Sequence, residues 1–536
     1  MPTLNWIGKE AVINHHRQVP YHLLRCDNSL SCGDPDSGNL LIEGDNLLAL
    51  KALLPYYAGQ VKCIYIDPPY NTGNEKWEYN DNVNSPEIRK WLGKVVGGEL
   101  EDLSRHDKWL CMMYPRLALL REFLREDGAI FVSIDDTEVA HLRCLMDEIF
   151  GLGNFVMNLI WEKKFSPQND EKYITAAHDH LLVYGRNKKS FQVNLLPRSE
   201  TANERYSNPD NDPRGPWSSG DLTSKTKATG HSYEIKSPSG KVFLPPSGRQ
   251  WAPSLSTFTE LMKENRLWFG EKGDRVPRLK QFLSEVQKGI VPMSIWKHGE
   301  VGHNQEAKQE LNTFFKGTYQ FETPKPVRLI ERVLRIATKP RDLVLDSFAG
   351  SGTTGHAILQ MNRENSANQR FILVEMEKDV CRNVTAQRLK RVIEGYERTN
   401  GEKAVKVEGL GGGFRYCRLD KPLFDETGKI GESVKFLDLA AHVFFTETGS
   451  PIAKRSNEKN PLIGIAKGTA YYLLFNGILG DKTPDGGNIL TGKVLVNLPN
   501  HKGPKVIFGE GCRLGSARLK REQITFKQIP YEIKVS

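Results

Sequence analysis

The sequence predicts an α/β protein with a Rossmann-like, doubly wound core, an inserted domain and a small C-terminal α+β appendage. Three observations lead there. Apolar runs of strand length alternate with helical stretches from residue 39 to about 160, and again from 323 to about 400, which is how parallel βαβ units read. A glycine-rich turn, Gly350-x-Gly352-x-x-Gly355, follows one of these strands and opens a helix. Between the two halves the periodicity weakens and the composition shifts.

Taken in order, residues 1–38 show no strong period and are expected to form an N-terminal lead-in. From Asn39, the run Leu40–Glu43 reads as a strand ending in Gly44-Asp45, and Asn46–Leu54 as a helix with Asp45 or Asn46 at its N-cap. Val61–Ile66 is the next strand. It must stop at Asp67, because Pro68 and Pro69 fix φ and cannot donate to a ladder. Residues 71–107 are polar, with Gly73, Gly93, Gly97, Gly98, Trp77, Tyr79 and Trp91, and are expected to be a lid or substrate-facing loop. A helix 107–125, a strand Ala129–Ile134 and a helix from the Asp135-Asp136-Thr137 cap to about Phe150 complete a first half, 39–160.

The stretch 161–322 is read as an insertion. Residues 160–325 carry 25 Lys+Arg against 19 Asp+Glu, six of the chain's net +9, and five of its nine tryptophans. Segments such as Trp161–Phe165, Arg214–Trp217, Gly248–Trp251 and Arg266–Phe269 interleave cations with aromatics, a composition suited to phosphate contact and base stacking. The second half, 323–400, holds a helix Val327–Ala337, a strand Asp342–Asp346, the glycine-rich turn, a strand Arg370–Glu375 and a helix from Lys378 to about Glu397. Residues 401–536 read as a C-terminal domain with β-like runs at Val443–Thr446 and Tyr471–Phe475.

Composition bounds the rest. A chain of 536 residues, 39% apolar and 26% charged, without an apolar run of about 18 residues, has no membrane segment. Met1–Glu10 lacks a signal-peptide pattern, so a cytoplasmic location is expected. Eight cysteines without a C-x-x-C pair are expected to be reduced thiols, and no metal is expected. A net charge of +9 suits a polyanionic partner.

Two motifs carry chemistry. Asp67-Pro68-Pro69-Tyr70 places a carboxylate, a rigid carbonyl and an aromatic ring at a strand's carboxyl end, where open α/β sheets bind ligands. Asp346-Ser-Phe348-Ala-Gly350-Ser-Gly352-Thr353 is not a P-loop, since no Lys follows the glycines. Together they resemble the S-adenosylmethionine-dependent amino-methyltransferases, with an F-x-G-x-G cofactor loop and a D-P-P-Y turn in the motif order of the β class. The wording Ile42–Lys51, Tyr65–Gly73, Phe131–Asp136 and Thr323–Pro326 is similar to the modification (Mod) subunits of Type III restriction-modification systems and related adenine-specific enzymes.

That resemblance implies a DNA methyltransferase acting on the N6 amine of a flipped-out adenine, with S-adenosyl-L-methionine as cofactor. It also implies double-stranded DNA, a restriction/helicase subunit and a second copy of the chain as partners, with 161–322 as the target-recognition domain. The residues agree with it. Asp67 and the Pro68 carbonyl are acceptors for the amine hydrogens, Pro69 stiffens the turn, and Tyr70 offers a face for the base. Gly350 and Gly352, flanked by Phe348 and Thr353, let backbone approach the cofactor; Asp346 suits its ammonium and Glu375 its ribose hydroxyls. By the resemblance, Asp45 lies near the cofactor's adenine, and Lys325 borders its methionine. The rival readings are an N4-cytosine methyltransferase, a DNA-binding specificity subunit without turnover, and a dinucleotide-dependent oxidoreductase, which leaves Asp67–Tyr70 unexplained.

Overall fold

The computed structural model describes residues 3–72, 104–166, 173–198, 203–226, 229–285, 289–315, 321, 323–400, 403–425, 427–452, 460–477, 483 and 487–529. The chain divides into two compact units, 1–193 with 293–536, and 194–292. The lid expected over 71–107 lies for the most part outside the described residues.

The first unit is built on a ten-stranded sheet. Its strands are β1 (His22–Gly33), β2 (Leu40–Glu43), β3 (Val61–Ile66), β4 (Leu124–Ile134), β5 (Phe155–Glu162), β6 (His178–Gly185), β7 (Ile295–Trp296), β8 (Leu343–Asp346), β9 (Arg370–Glu375) and β10 (Gly413–Pro422). Their spatial order is β1-β10-β2-β9-β8-β3-β4-β6-β5-β7. Strands β10, β2, β9, β8, β3 and β4 run parallel to one another. Their carboxyl ends therefore share one edge. From β3 the chain winds one way to β4, and from β8 the other way to β9, so the β8/β3 pair is the topological switch point where such sheets open a crevice.

Local chemistry explains the helices that cover the sheet. Helix α1 (Asn46–Tyr57) starts at Asp45, whose carboxylate accepts from the Leu48 N–H at 3.0 Å. Helix α2 (Arg105–Phe123) begins with a capping box between Ser104 and Asp107. Helix α3 (Val139–Met146) follows β4. Helix α4 (Val327–Ala337) buries Val327, Ile330, Val333, Leu334 and Ala337, one face at helical spacing. Helix α5 (Thr353–Asn365) rises from the glycine-rich turn. Central strand β3 is buried along its whole length, as a parallel strand covered on both faces should be. Among the described residues, no helix is long and apolar enough to cross a membrane.

Several expectations need correction. The lead-in 1–38 supplies two short helices, Lys9–Val12 and His15–Gln18, and the edge strand β1, which pairs antiparallel with β10. Its burial does not alternate, and its pairing shifts register between His22 and Leu24 and between Asp27 and Cys32, which hid the strand period. Cys26 and Cys417 are register partners on that pair and form a disulfide, against the expectation of eight free thiols; a separation of 391 residues concealed it. Val443–Thr446, read as β-like, lies inside helix α6 (Phe436–Thr448), where Leu439, Ala440, Val443 and Phe444 face the core. There the 3–4 residue spacing outweighs local β propensity. The helix expected to reach Glu397 ends at Glu394, where Gly395 takes φ 95° and a strand follows. Beyond β10, α6 packs with a four-stranded mixed sheet, which makes the appendage α+β.

The second unit, 194–292, lies within the stretch read as an insertion and combines short antiparallel ladders with a helix, Leu255–Lys263. Its core gathers Leu222, Ile235, Trp251, Phe258, Leu267 and Phe269. Of the five tryptophans in 160–325, Trp161, Trp217, Trp251 and Trp296 are buried, so those rings serve packing and are not open faces for bases. The unit also buries a charge cluster: Lys280 contacts Asp210 and lies 3.0 Å from Asp212, with both Lys280 and Asp212 side chains fully enclosed. Arg214, 2.8 Å from Asp212, helps hold that carboxyl well below its usual range. Lys280→Met would strand buried carboxylates beside an apolar chain. It is expected to cost this unit about 3 kcal/mol, measured by urea unfolding; an unchanged midpoint would contradict the account.

Candidate active site

The switch point brings the two motifs together. Register pairs Val344 with Cys63 and Leu345 with Ile64, so Asp346, ending β8, and Asp67, following β3, stand on neighbouring strands at one edge. A single cleft there is lined by Asp67 and Pro69, by Lys325, and by Asp346, Phe348, Gly350, Thr353 and Glu375. These eight residues singled out in the sequence meet in space. Pro68 and Tyr70 belong to the same turn, and Gly352 to the same loop.

Asp67 is the most informative group. Its Oδ2 accepts from Lys325 Nζ at 2.6 Å, whereas Oδ1 is buried without a hydrogen-bond partner. Burial pushes the Asp67 carboxyl up, and the Lys325 ammonium opposes the shift. A buried acceptor left open costs free energy until a donor arrives. Lys325, expected beside the cofactor's methionine, thus pairs with the Asp67 carboxylate, and its Nζ lies 5.0 Å from the Tyr70 ring centroid. The Tyr70 hydroxyl points to Asp179 Oδ2 at 3.4 Å, and Asp179 Oδ1 accepts from Lys163 Nζ at 2.5 Å. Burial and these carboxylates raise the Tyr70 hydroxyl far above its ordinary value, so it stays protonated. The Trp109 indole N–H donates to the Pro69 carbonyl at 2.7 Å, so this bond falls on Pro69 and not on Pro68.

Across the cleft, the loop after β8 is shaped by its own strand ends. Gly350 and Gly352 take φ 52° and 79°, a left-handed conformation that side chains resist. The Gly350 N–H donates to Glu375 Oε2 at 2.7 Å, and the Glu377 N–H to Oε1 at 2.9 Å. Glu375, expected on ribose hydroxyls, therefore also fixes the loop. Asp346 accepts from the Phe348 N–H at 3.0 Å and from Thr354 Oγ1 at 2.6 Å. Burial nevertheless raises its carboxyl to about 7, more than these bonds offset. Thr353 Oγ1 donates to the Lys325 carbonyl at 3.2 Å, tying the loop to the Lys325 segment. Asp45 is engaged as helix cap and as partner of Arg116 at 3.2 Å; its neighbours Asn46 and Arg116 line the cleft instead.

Sequence reasoning missed Lys163, Asp179, Trp109, Arg116 and Asn46. Asp179 had a readable signal, a carboxylate flanked by His178 and His180 at the start of the apolar strand β6. The others sit on helices or strand ends whose partners are remote in sequence.

Comparison with known proteins agrees with the geometry. The DNA methylase family profile matches residues 61–387. The Type III restriction-modification enzyme StyLTI Mod subunit of Salmonella typhimurium is 35% identical over 400 residues, covering 72% of this chain and 60% of the relative. The EcoPI Mod subunit of Escherichia phage P1 is 31% identical over 501 residues, covering 83% and 74%. The Type II methyltransferase M.KpnI of Klebsiella pneumoniae is 30% identical over 379 residues, covering 66% and 84%. The chain thus spans 60% of the StyLTI subunit's length and more of the other two. With the Asp67–Tyr70 turn and the Phe348–Gly352 loop facing one cleft at the switch point of the sheet, the chain belongs to the DNA methylase family.

Proposed function

We propose that the protein transfers a methyl group from S-adenosyl-L-methionine to the N6 amine of adenine in double-stranded DNA, within a Type III-like restriction-modification system. The observation that carries this reading is the open, buried Asp67 Oδ1 beside an already paired Oδ2. An exocyclic amine is a weak nucleophile because its lone pair is delocalised into the ring. Two acceptors fixed on its hydrogens draw the nitrogen towards sp³ geometry, and the Asp67 Oδ1 and Pro68 carbonyl are that pair.

The residues of the cleft suit the cofactor. Asp346, buried and held near pKa 7, gains most from an incoming ammonium. The left-handed glycines bring backbone close, and Phe348 and Glu375 line the same cleft. The cofactor supplies a sulfonium methyl group, so positioning and electrostatics are what the chain must provide. As the N6 nitrogen turns cationic, its proton has a ready acceptor in Asp67 Oδ1, whose pKa burial has raised. The Lys325 ammonium opposes that rise and favours the charged form.

DNA contact is assigned to the 194–292 unit. Within it, a groove is lined by Arg205, Lys241, Arg275 and Arg278 with Phe243 and Trp268, a cationic and aromatic surface for a polyanion. A second copy of the chain and a restriction/helicase subunit are the proposed protein partners, by analogy with the Mod relatives.

Incubation with unmethylated genomic DNA and S-adenosyl-L-methionine, then nucleoside mass spectrometry, is expected to yield N6-methyladenine. N4-methylcytosine would keep the site and overturn the base assignment; no methylated base would point to a binding subunit. Asp67→Ala should lower transfer by at least about a hundredfold with cofactor and DNA binding retained; near-normal turnover would sink the mechanism. Because burial raises the Asp346 carboxyl to about 7, part of it is protonated near neutral pH, and an arriving ammonium lowers its pKa. Cofactor binding near neutral pH should therefore release protons, read as a calorimetric heat that changes with buffer ionisation enthalpy. A buffer-independent heat would remove Asp346 from the ammonium site.

A further inference from the structure

The turn after Tyr70 carries a tension that the methyl-transfer account leaves unexplained. Asn71 takes φ 59°, a left-handed conformation, and is almost fully buried. Its Nδ2 donates to the Arg105 carbonyl at 3.2 Å and to Glu138 Oε1 at 2.5 Å. Glu138, following β4, has a side chain with no exposure at all. Two half-exposed imidazoles close over it: His106 Nδ1 meets Oε1 at 2.6 Å, and His141 Nδ1 meets Oε2 at 2.8 Å. Both ring protons therefore sit on Nδ1 and point at one carboxylate. The three side chains have the spacing of a metal triad, but both carboxylate oxygens are already taken as acceptors by N–H groups, so hydrogen bonds complete the cluster.

A wholly buried carboxylate is costly unless it is fully hydrogen-bonded. Three donors converge here, and one of them belongs to the residue directly after the Asp67–Tyr70 turn. The same helix start holds the turn a second time, since Trp109 of α2 donates to the Pro69 carbonyl. The turn is thus gripped at Pro69 by Trp109 and at Asn71 by Glu138 and the Arg105 carbonyl.

We propose that Glu138 is a positioning residue for the transfer reaction: locked by His106 and His141, it fixes Asn71 in its left-handed conformation and thereby aims the Pro68 carbonyl and the Tyr70 ring. The proposal rests on the methyltransferase reading for its catalytic consequence and on geometry alone for its structural one. Glu138 lies outside the cleft and touches no group assigned to cofactor or base.

The test uses the full chain labelled with ¹⁵N-tryptophan, with the Trp109 indole resonance assigned through Trp109→Phe. Glu138→Gln replaces an acceptor facing Asn71 by an amide. It is expected to shift the Trp109 indole resonance while Trp251, bonded to the Tyr233 carbonyl in the other unit, stays in place. Single-turnover methyl transfer should fall roughly ten- to a hundredfold, with the dissociation constant for S-adenosyl-L-methionine unchanged. Asn71→Asp should be impaired likewise, because its carboxylate would face both the Glu138 carboxylate and the Arg105 carbonyl. An unmoved Trp109 resonance, or a parental rate in Glu138→Gln, overturns the proposal. If Glu138→Gln does not fold, His106→Gln and His141→Gln loosen the same carboxylate from the surface, and no shift of Trp109 in either overturns it. A parent protein that methylates no base refutes the methyltransferase reading instead, and the Trp109 resonance still decides whether Glu138 sets the turn.

Discussion

The site depends on an imbalance of buried charge at the carboxyl ends of β3 and β8. Parallel pairing of these strands brings Asp67 and Asp346 to one edge of the sheet, where burial raises the Asp346 carboxyl and the Asp67 charge adds to the rise. Among the described residues, Lys325 is the cation that pairs with Asp67, and it reaches only one of that carboxylate's oxygens. Hydrogen bonds from Thr354 and the Phe348 N–H do not fully offset the burial of Asp346. The cleft is therefore short of positive charge at one end and of an N–H donor at the other. A ligand pair made of a cation and an amine supplies both deficits, which is the complement of the cofactor and base proposed here. Such preorganised, unsatisfied polarity stores part of the folding free energy as affinity.

What keeps that imbalance from collapsing the turn is the start of helix α2. A capping box fixes the helix origin, and three side chains along the helix hold the site and its surroundings. Trp109 holds the Pro69 carbonyl, His106 meets the Glu138 carboxylate, and Arg116 pairs with Asp45 at the head of α1. The Asp67–Tyr70 turn and the helix after β2 are thus referenced to one element, α2. Rigid support of this kind matters because misplacement of reacting groups by an ångström costs orders of magnitude in rate.

Much of this was legible in the sequence, and the reason differs by element. Strand β3 and the stop at Pro68 could be read because buried parallel strands are continuously apolar and proline ends them unambiguously. Helix α4 announced itself by a single apolar face. The two motifs located six cleft-lining residues, Asp67, Pro69, Asp346, Phe348, Gly350 and Thr353, because the glycines and the Asp-Pro-Pro-Tyr run are local constraints on backbone shape. Strand β1 was not legible, since register shifts in its pairing break the alternation that a regular half-buried strand would show. The Cys26–Cys417 pairing and the Glu138–Asn71 contact were hidden for a different reason: each joins residues remote in sequence whose partners only the sheet order reveals. Trp161, Trp217 and Trp251 misled because an aromatic beside a cation looks the same whether it faces solvent or core. Val443–Thr446 misled because four residues carry propensity but too little period to contradict it.

The permuted order of the motifs follows from the same sheet. Asp67 and Asp346 are 279 positions apart in sequence, yet they occupy adjacent strands, and the intervening chain leaves after β6 and returns as β7 on β5 at the sheet's far edge. The closure entropy of such an excursion grows only logarithmically with length. A unit inserted there adds little to the cost of forming the β3/β8 pair, provided the edge ladders β6-β5-β7 anchor its two ends. The strands bearing Asp67, Asp346 and Glu375 lie on the other side of β4, so changes of length or sequence in 194–292 leave the registers that define the cleft untouched. Separation of this kind lets the chemistry stay fixed while the surface assigned to DNA varies.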